Sequence, residues 1–162
     1  MTTKVRMQTN KGTIMIELFP DAALNTVKNF IELIQKGYYD GVTFHRVVDD
    51  FVVQGGDPTG TGSGGPGYAI RCETSGPKQK HVKGALSMAH AGRDTGGSQF
   101  FIVLNPNNCK HLDGKHTVFG VVSEGMNVVE NIQQGDKMVK VEVLEYDEVV
   151  ANHQLEKLPS RG

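Results

Sequence analysis

Between residues 5 and 143 the chain is cut into about eight short apolar runs, none longer than a brief strand, and only two segments carry a helical stripe. That distribution is the strongest constraint on the fold. Strands that recur along the whole length without alternating with helices do not build a doubly wound parallel sheet. Two isolated helices cannot make a helical core. An antiparallel sheet must also dispose of its exposed edges. A mainly β fold, a closed eight-stranded antiparallel β-barrel capped by two α-helices, satisfies all three conditions.

Taken in order, Val5, Met7 and Thr9 alternate with Lys4, Arg6 and Gln8, and Asn10-Lys11-Gly12 supplies a turn into a second alternating run with Ile14 and Ile16 on one face. From Ala23 the period changes to that of a helix: Val27, Phe30, Ile31 and Ile34 share a stripe, Lys28, Asn29, Glu32 and Gln35 face away, and Gly37 stands at the C-cap. Residues 44–57 carry two strand-like runs flanking Arg46, and residues 55–67 are so dense in glycine that they form an irregular loop. Residues 68–72, 85–89, 100–104 and 117–122 read as strands, and 105–115 as irregular polar chain. Ser123 offers an N-cap to a second helix with Val128, Val129 and Ile132 on its apolar face, stopped by Gly135. Val139, Val141 and Val143 form a last strand. The reading is one domain over residues 1–146, with 147–162 a polar surface tail.

Composition bears mainly on what the chain does not do. A net charge of -1 gives no electrostatic reason to expect nucleic acid or an anionic membrane as partner. No apolar run approaches the roughly 20 residues of a membrane span, and no apolar signal segment follows Met1. A cytoplasmic, monomeric protein is the resulting expectation, with Cys72 and Cys109 as free thiols. Gly60-Thr61-Gly62-Ser63-Gly64-Gly65 formally matches a dinucleotide fingerprint, but the strand-like Tyr68-Ala69-Ile70 follows where a helix should open, and no Gly-Lys-Ser/Thr is present. His45, His81, His90, His111, His116 and His153 show no metal-ligand spacing, so no metal or cofactor is expected. Ser87 and Ser98 lie near His90 but outside any nucleophile elbow.

What is left suits non-covalent binding of a polypeptide. Arg46 offers a rigid fork of donors that cannot deprotonate. Gln54 and Gln99 both accept and donate, and Phe51, Val52, Phe101 and Leu112 are apolar candidates for one pocket. The plainer alternatives are core filling for each phenylalanine and a salt bridge from Arg46 to Asp49 or Asp50.

Phe44-His45-Arg46 followed by Phe51-Val52-Val53-Gln54-Gly55-Gly56-Asp57 resembles the cyclophilin signature. Ala85-Leu86-Ser87-Met88-Ala89, Gly97-Ser98-Gln99-Phe100-Phe101-Ile102 and the run from Leu112 through Gly120 match further family blocks in the family's order. The resemblance covers nearly the whole chain and leans towards prokaryotic single-domain members. It implies an eight-stranded barrel with two capping helices and peptidyl-prolyl cis-trans isomerase activity on proline-containing polypeptides, assisting folding in the manner of a chaperone. A non-catalytic peptide-binding module of the same fold is the alternative. By position, Arg46 resembles the catalytic arginine and Gln54 the glutamine that steadies it. Phe51, Val52, Phe101 and Leu112 resemble the proline pocket, with His116 at its rim. Gly62, Ala89, His90, Ala91 and Gln99 match the groove for residues preceding proline. Val52 replaces a usual methionine, His90 an asparagine, and His111 a tryptophan that packs against cyclosporin. The last change implies weakened cyclosporin binding.

Overall fold

The computed structural model describes residues 3–159; the first two residues and the last three of the supposed tail lie outside the described residues. The opening alternation becomes strand β1 (Thr3–Thr9), whose Val5 and Met7 are fully buried. It turns through Asn10 and Lys11 into β2 (Gly12–Leu18), pairing Met7 with Ile14 and Val5 with Ile16. Then follow α1 (Leu24–Gln35), β3 (Arg46–Val48), β4 (Val52–Gly55) and the two-residue β5 (Tyr68–Ala69). The remaining elements are β6 (Ala85–Met88), β7 (Phe100–Val103), β8 (Val118–Glu124), α2 (Met126–Asn131), β9 (Met138–Glu145), α3 (Glu148–Asn152) and β10 (Leu158–Pro159).

Eight strands form one sheet in the order β3-β4-β7-β6-β8-β2-β1-β9, every neighbouring pair antiparallel. The two ends meet at a bridge between Thr43 and Lys137, with Phe44 N–H donating to the Asp136 carbonyl at 2.8 Å and Met138 N–H to that of Val42 at 2.9 Å. The expected barrel is present, and its closure rests on this short seam rather than a full ladder. α1 buries Val27, Phe30, Ile31 and Ile34 in the core, where the Phe30 ring meets Tyr39, Phe100 and Phe119 at centroid distances of 5.2–5.6 Å.

The strands nearest the site are buried on both faces. Val53, Leu86, Met88, Phe100, Ile102 and Phe119 point into the main core, while Val52, Ala85, Phe101, Val103 and Val118 form a second apolar cluster on the outside. Two-sided burial is why residues 85–89, interrupted only by the buried Ser87, and 100–104 read as apolar runs instead of alternating ones.

Several local expectations are corrected. Asn29 does not face away: it is fully buried, donating to the Gly97 carbonyl at 2.7 Å and accepting from the Tyr68 hydroxyl. Ser123 is not an N-cap but the sixth residue of β8; α2 starts from Gly125 at φ +91°, where a Cβ would lie 2.5 Å from the Thr13 carbonyl oxygen. Only Tyr68–Ala69 of the strand expected at 68–72 forms, and 105–115 contains two 3-10 turns, Pro106–Asn108 and Lys110–Leu112. The segment after residue 146 carries a third helix. Its Val150 is fully buried, and His153 and Glu156 engage Asn25 of α1 at 3.0 and 2.8 Å.

Candidate active site

The second apolar cluster is the floor of an open cavity of about 520 Å³. Arg46, Phe51, Val52, Gln54, Gly62, Ala89, His90, Phe101, Leu112 and His116 line it, together with His45 and Thr61, which were not singled out from sequence. Ala91 and Gln99 line an adjoining cavity instead. His111 lines neither; its ring stacks on Phe51 at 6.0 Å. The residues come from β3, β4, β6–β7 and the loops around them, so the sheet, not any single loop, sets their spacing.

Arg46 and Gln54 are direct partners in the β3–β4 register. The Arg46 Nη1 donates to Gln54 Oε1 at 3.1 Å, and its Cζ sits 5.9 Å from the centre of the Phe51 ring. The salt bridge to Asp49 or Asp50 does not occur; the Asp50 carboxylate instead accepts from Asn105 at 3.0 Å. Gln54 Nε2 donates to Gln99 Oε1 at 3.2 Å, and Gln99 Nε2 donates to the carbonyls of Gly62 at 2.8 Å and Gly64 at 3.1 Å. A carbonyl can only accept, so the two glycine oxygens fix which end of the Gln99 amide faces them. That choice forces the Gln54 amide to turn its oxygen to Arg46. The orientation of the guanidinium is thus set by the backbone of the loop that carries Gly62 and Gly64.

The loop is in turn held by Asp57, fully buried, whose carboxylate accepts from the backbone N–H of Thr59, Thr61, Gly62 and Gly64 and from the Thr59 hydroxyl at 2.6–3.1 Å. Burial pushes this carboxyl up, but those bonds, led by the Thr59 hydroxyl, outweigh it and hold Asp57 well below the usual carboxylate range. A Cβ at Gly64 would lie 2.0 Å from Asp57 Oδ1, so glycine is required there. Asp57 was given no role from sequence, because four of these donors are main-chain groups that any residue carries.

On the opposite wall His116 Nδ1 lies 2.9 Å from the Met88 carbonyl, so that nitrogen carries the proton. His90 Nε2 donates to the Lys115 carbonyl at 2.8 Å, leaving Nδ1 to accept from Gly92 N–H at 3.2 Å. The two neutral rings stack at 4.0 Å and 8°. Burial chiefly holds His116 below the ordinary histidine value, with the His90 charge interaction acting in the same direction. Below the floor, His81 joins Asp113 at 2.7 Å and Ser87 at 2.8 Å, and its ring stacks on Phe101 at 5.8 Å. The trio has the composition of a nucleophile triad, but Ser87 is fully buried and also bonds the Thr117 carbonyl, so it meets no substrate. It props the pocket floor. Neither cysteine is paired, and burial raises the Cys109 thiol to about 11.

Fold and site together define a β-barrel of the cyclophilin class with an open groove ending in an apolar pocket. The family described as cyclophilin type peptidyl-prolyl cis-trans isomerase/CLD matches residues 4–156, and the chain belongs to that family. It is 58% identical over 130 residues to peptidyl-prolyl cis-trans isomerase B of Bacillus subtilis, covering 80% of this chain and 90% of that one. It is 51% identical over 144 residues to a peptidyl-prolyl cis-trans isomerase of Synechococcus elongatus, covering 88% and 97%. The crystal structure of a Cryptosporidium parvum cyclophilin type peptidyl-prolyl cis-trans isomerase superposes with a TM-score of 0.80 at 31% identity, covering 91% of this chain and 100% of that one. A second structure of that protein, obtained in the presence of the dipeptide Ala-Pro, gives 0.78 at 32% identity, covering 88% and 99%.

Proposed function

We propose that this protein is a peptidyl-prolyl cis-trans isomerase that turns X-Pro bonds without covalent chemistry. The observation that carries the reading is Arg46, held by the Gln54–Gln99 relay at the edge of an apolar pocket. Amide rotation faces a barrier of about 18–20 kcal/mol because the nitrogen lone pair is delocalised into the carbonyl. Uncatalysed X-Pro isomerisation takes tens to hundreds of seconds, roughly. When the amide twists, the lone pair returns to the proline nitrogen, which becomes an acceptor. A guanidinium fixed beside it binds the twisted state more tightly than either planar isomer, and that difference is acceleration.

In this reading the proline ring enters between Phe51, Val52, Phe101 and Leu112, with neutral His116 at the rim, while Gly62, Ala89, His90, Ala91 and Gln99 receive the residues before it. Arg46 acts on the nitrogen and Gln54 keeps it in place. The protein assists folding of proline-containing chains as a cytoplasmic monomer. No described helix is long and apolar enough to cross a membrane. Exchange spectroscopy on a short X-Pro peptide tests the activity directly: line broadening from rapid cis-trans exchange is expected, and binding without exchange would leave only the peptide-binding module. Cyclosporin supplies a second test. With exposed His111 in the place of an indole, inhibition weaker than the tight binding of tryptophan-bearing relatives is expected in a titration, and equally tight inhibition would remove the role given to this position.

A further inference from the structure

A second cavity, of about 760 Å³, opens beside the first and shares Gln54, Gly62, Ala89 and His90 with it. Ala91 and Gln99 belong to it as well, so it contains every residue assigned above to the chain preceding proline. Its lining is glycine, small side chains, amides and hydroxyls with one fully charged group, the guanidinium of Arg93.

Arg93 is exposed and held only by long contacts to neutral oxygens: Nη1 lies 3.4 Å from Thr74 Oγ1 and 3.4 Å from the Gly114 carbonyl, and Nη2 lies 3.4 Å from Thr74 Oγ1. Nearby carboxylates are committed elsewhere. Glu73 accepts from Asn25 N–H, Thr26 N–H and the Thr26 hydroxyl at 3.2, 2.7 and 2.7 Å, and Asp94 Oδ1 accepts from Cys72 N–H at 2.8 Å. Arg71 and Lys115 sit on backbone tied to the same spot, since Cys72 bonds Asp94 and the Lys115 carbonyl faces both Cys72 Sγ and His90 Nε2. Among the described residues neither they nor Arg93 forms an ion pair. Three cations and the two carboxylates Glu73 and Asp94 thus gather at this rim, leaving it an excess of positive charge with no ion pair holding the guanidinium of Arg93, on a protein whose net charge is -1.

We propose that Arg93 selects polypeptides carrying an aspartate or glutamate two or three residues ahead of the proline. The proposal rests on the isomerase reading for the direction in which the chain lies. An extended chain advances about 3.3–3.6 Å per residue, so residues past the one seated at Ala89 to Ala91 draw level with Arg93. There a planar fork with free donors meets a carboxylate in bidentate fashion.

The test uses peptides identical except for Glu, Gln or Lys at the second or third residue before proline. Turnover is read by exchange spectroscopy and affinity by chemical-shift titration, at low and high salt. The Glu peptide is expected to exceed its Gln twin by about fivefold in kcat/KM, the scale of a partly exposed ion pair, with the advantage shrinking as salt rises. Arg93→Gln should bring the Glu/Gln ratio close to one, and Arg93→Glu should reverse it in favour of Lys. Turnover of all three peptides within twofold, or a Glu preference that survives Arg93→Gln, overturns the proposal and leaves the isomerase reading standing. Absence of turnover with tighter binding of Glu does the opposite. Equal binding with no turnover removes both.

Discussion

At the scale of single residues, the site is a chain of amides whose direction is dictated from one end. The loop anchored by Asp57 offers the Gly62 and Gly64 carbonyls, Gln99 must point its nitrogen at them, and Gln54 must then point its oxygen at Arg46. Replacing Gln99 by alanine releases Gln54 to flip and offers Arg46 a donor in place of an acceptor. A fall of about tenfold in kcat with a smaller change in KM is expected, corresponding to about 1.4 kcal/mol, and steady-state kinetics of Gln99→Ala checks it. A rise in KM alone would show that Gln99 acts only by contacting the substrate and not through Gln54 and Arg46. Arg46, Gln54 and Gln99 were legible because each belongs to a long motif in family order, whereas Asp57, which closes one of those motifs, was given no role because nothing in the glycine-rich stretch after it reveals which N–H groups converge on it.

At the scale of elements, what sequence concealed was help from distant parts of the chain. α1 opens after Ala23, which supplies no side-chain cap. Its free N–H groups at Asn25 and Thr26 are met by Glu73, far along the chain, whose negative charge also suits a helix N-terminus. Glu73→Ala should cost about 1–2 kcal/mol, seen as a lowered urea midpoint with unchanged slope; no change would show that α1 is held by its apolar face alone. That face was plain from period, yet Asn29 on the supposed outer side is buried because its amide holds Gly97, one residue before Ser98 and two before Gln99. Tyr38 and Tyr39 secure the same segment through the hydroxyl and carbonyl of Ser98, each at 2.9 Å. The helix thereby positions the relay as well as filling the core. In β9 the alternation of Val139, Val141 and Val143 fails at Val139, which is 55% exposed, because the β1 register shifts between Gln8 and Thr9. A bulge leaves no mark in a run of valines.

At the scale of the molecule, the barrel encloses one core and uses its outer wall for the site, and the approximate number of strands was readable where their order, the seam and the third helix were not. Both depend on contacts between chain segments far apart in sequence, such as Thr43 with Lys137 and His153 with Asn25. Titration also acts on the whole. Burial holds His45, His81 and His116 below the ordinary histidine value. For Asp57 and Asp113 hydrogen bonds overcome burial, and for Asp136 the Asn10 side chain leads; all three carboxyls lie low. The unfolded histidines bind protons near about 6.5 while the folded ones do not, so their contribution is complete above that pH and is lost as pH falls towards the folded values. The carboxylates contribute above their unfolded value of about 3.9 and lose it as pH falls through their lower folded values. Urea midpoints should therefore be flat above about pH 7, decline below about 6.5, and decline again below about 4. A flat profile down to pH 5 would contradict the neutral, buried histidines.

The central claim is that a fixed guanidinium stabilises the twisted X-Pro amide, and substitution of Arg46 tests it most directly. Exchange rates on one X-Pro peptide should be compared for the wild type, Arg46→Ala and Arg46→Lys, with affinity titrated alongside. Losing a charge-assisted bond of about 3 kcal/mol predicts a drop of roughly a hundredfold in kcat/KM for Arg46→Ala with peptide affinity little changed. Arg46→Lys should recover little, because a single ammonium cannot hold Gln54 and the proline nitrogen in one plane. If Arg46→Ala exchanged the peptide as fast as the wild type, the account would be wrong at its centre.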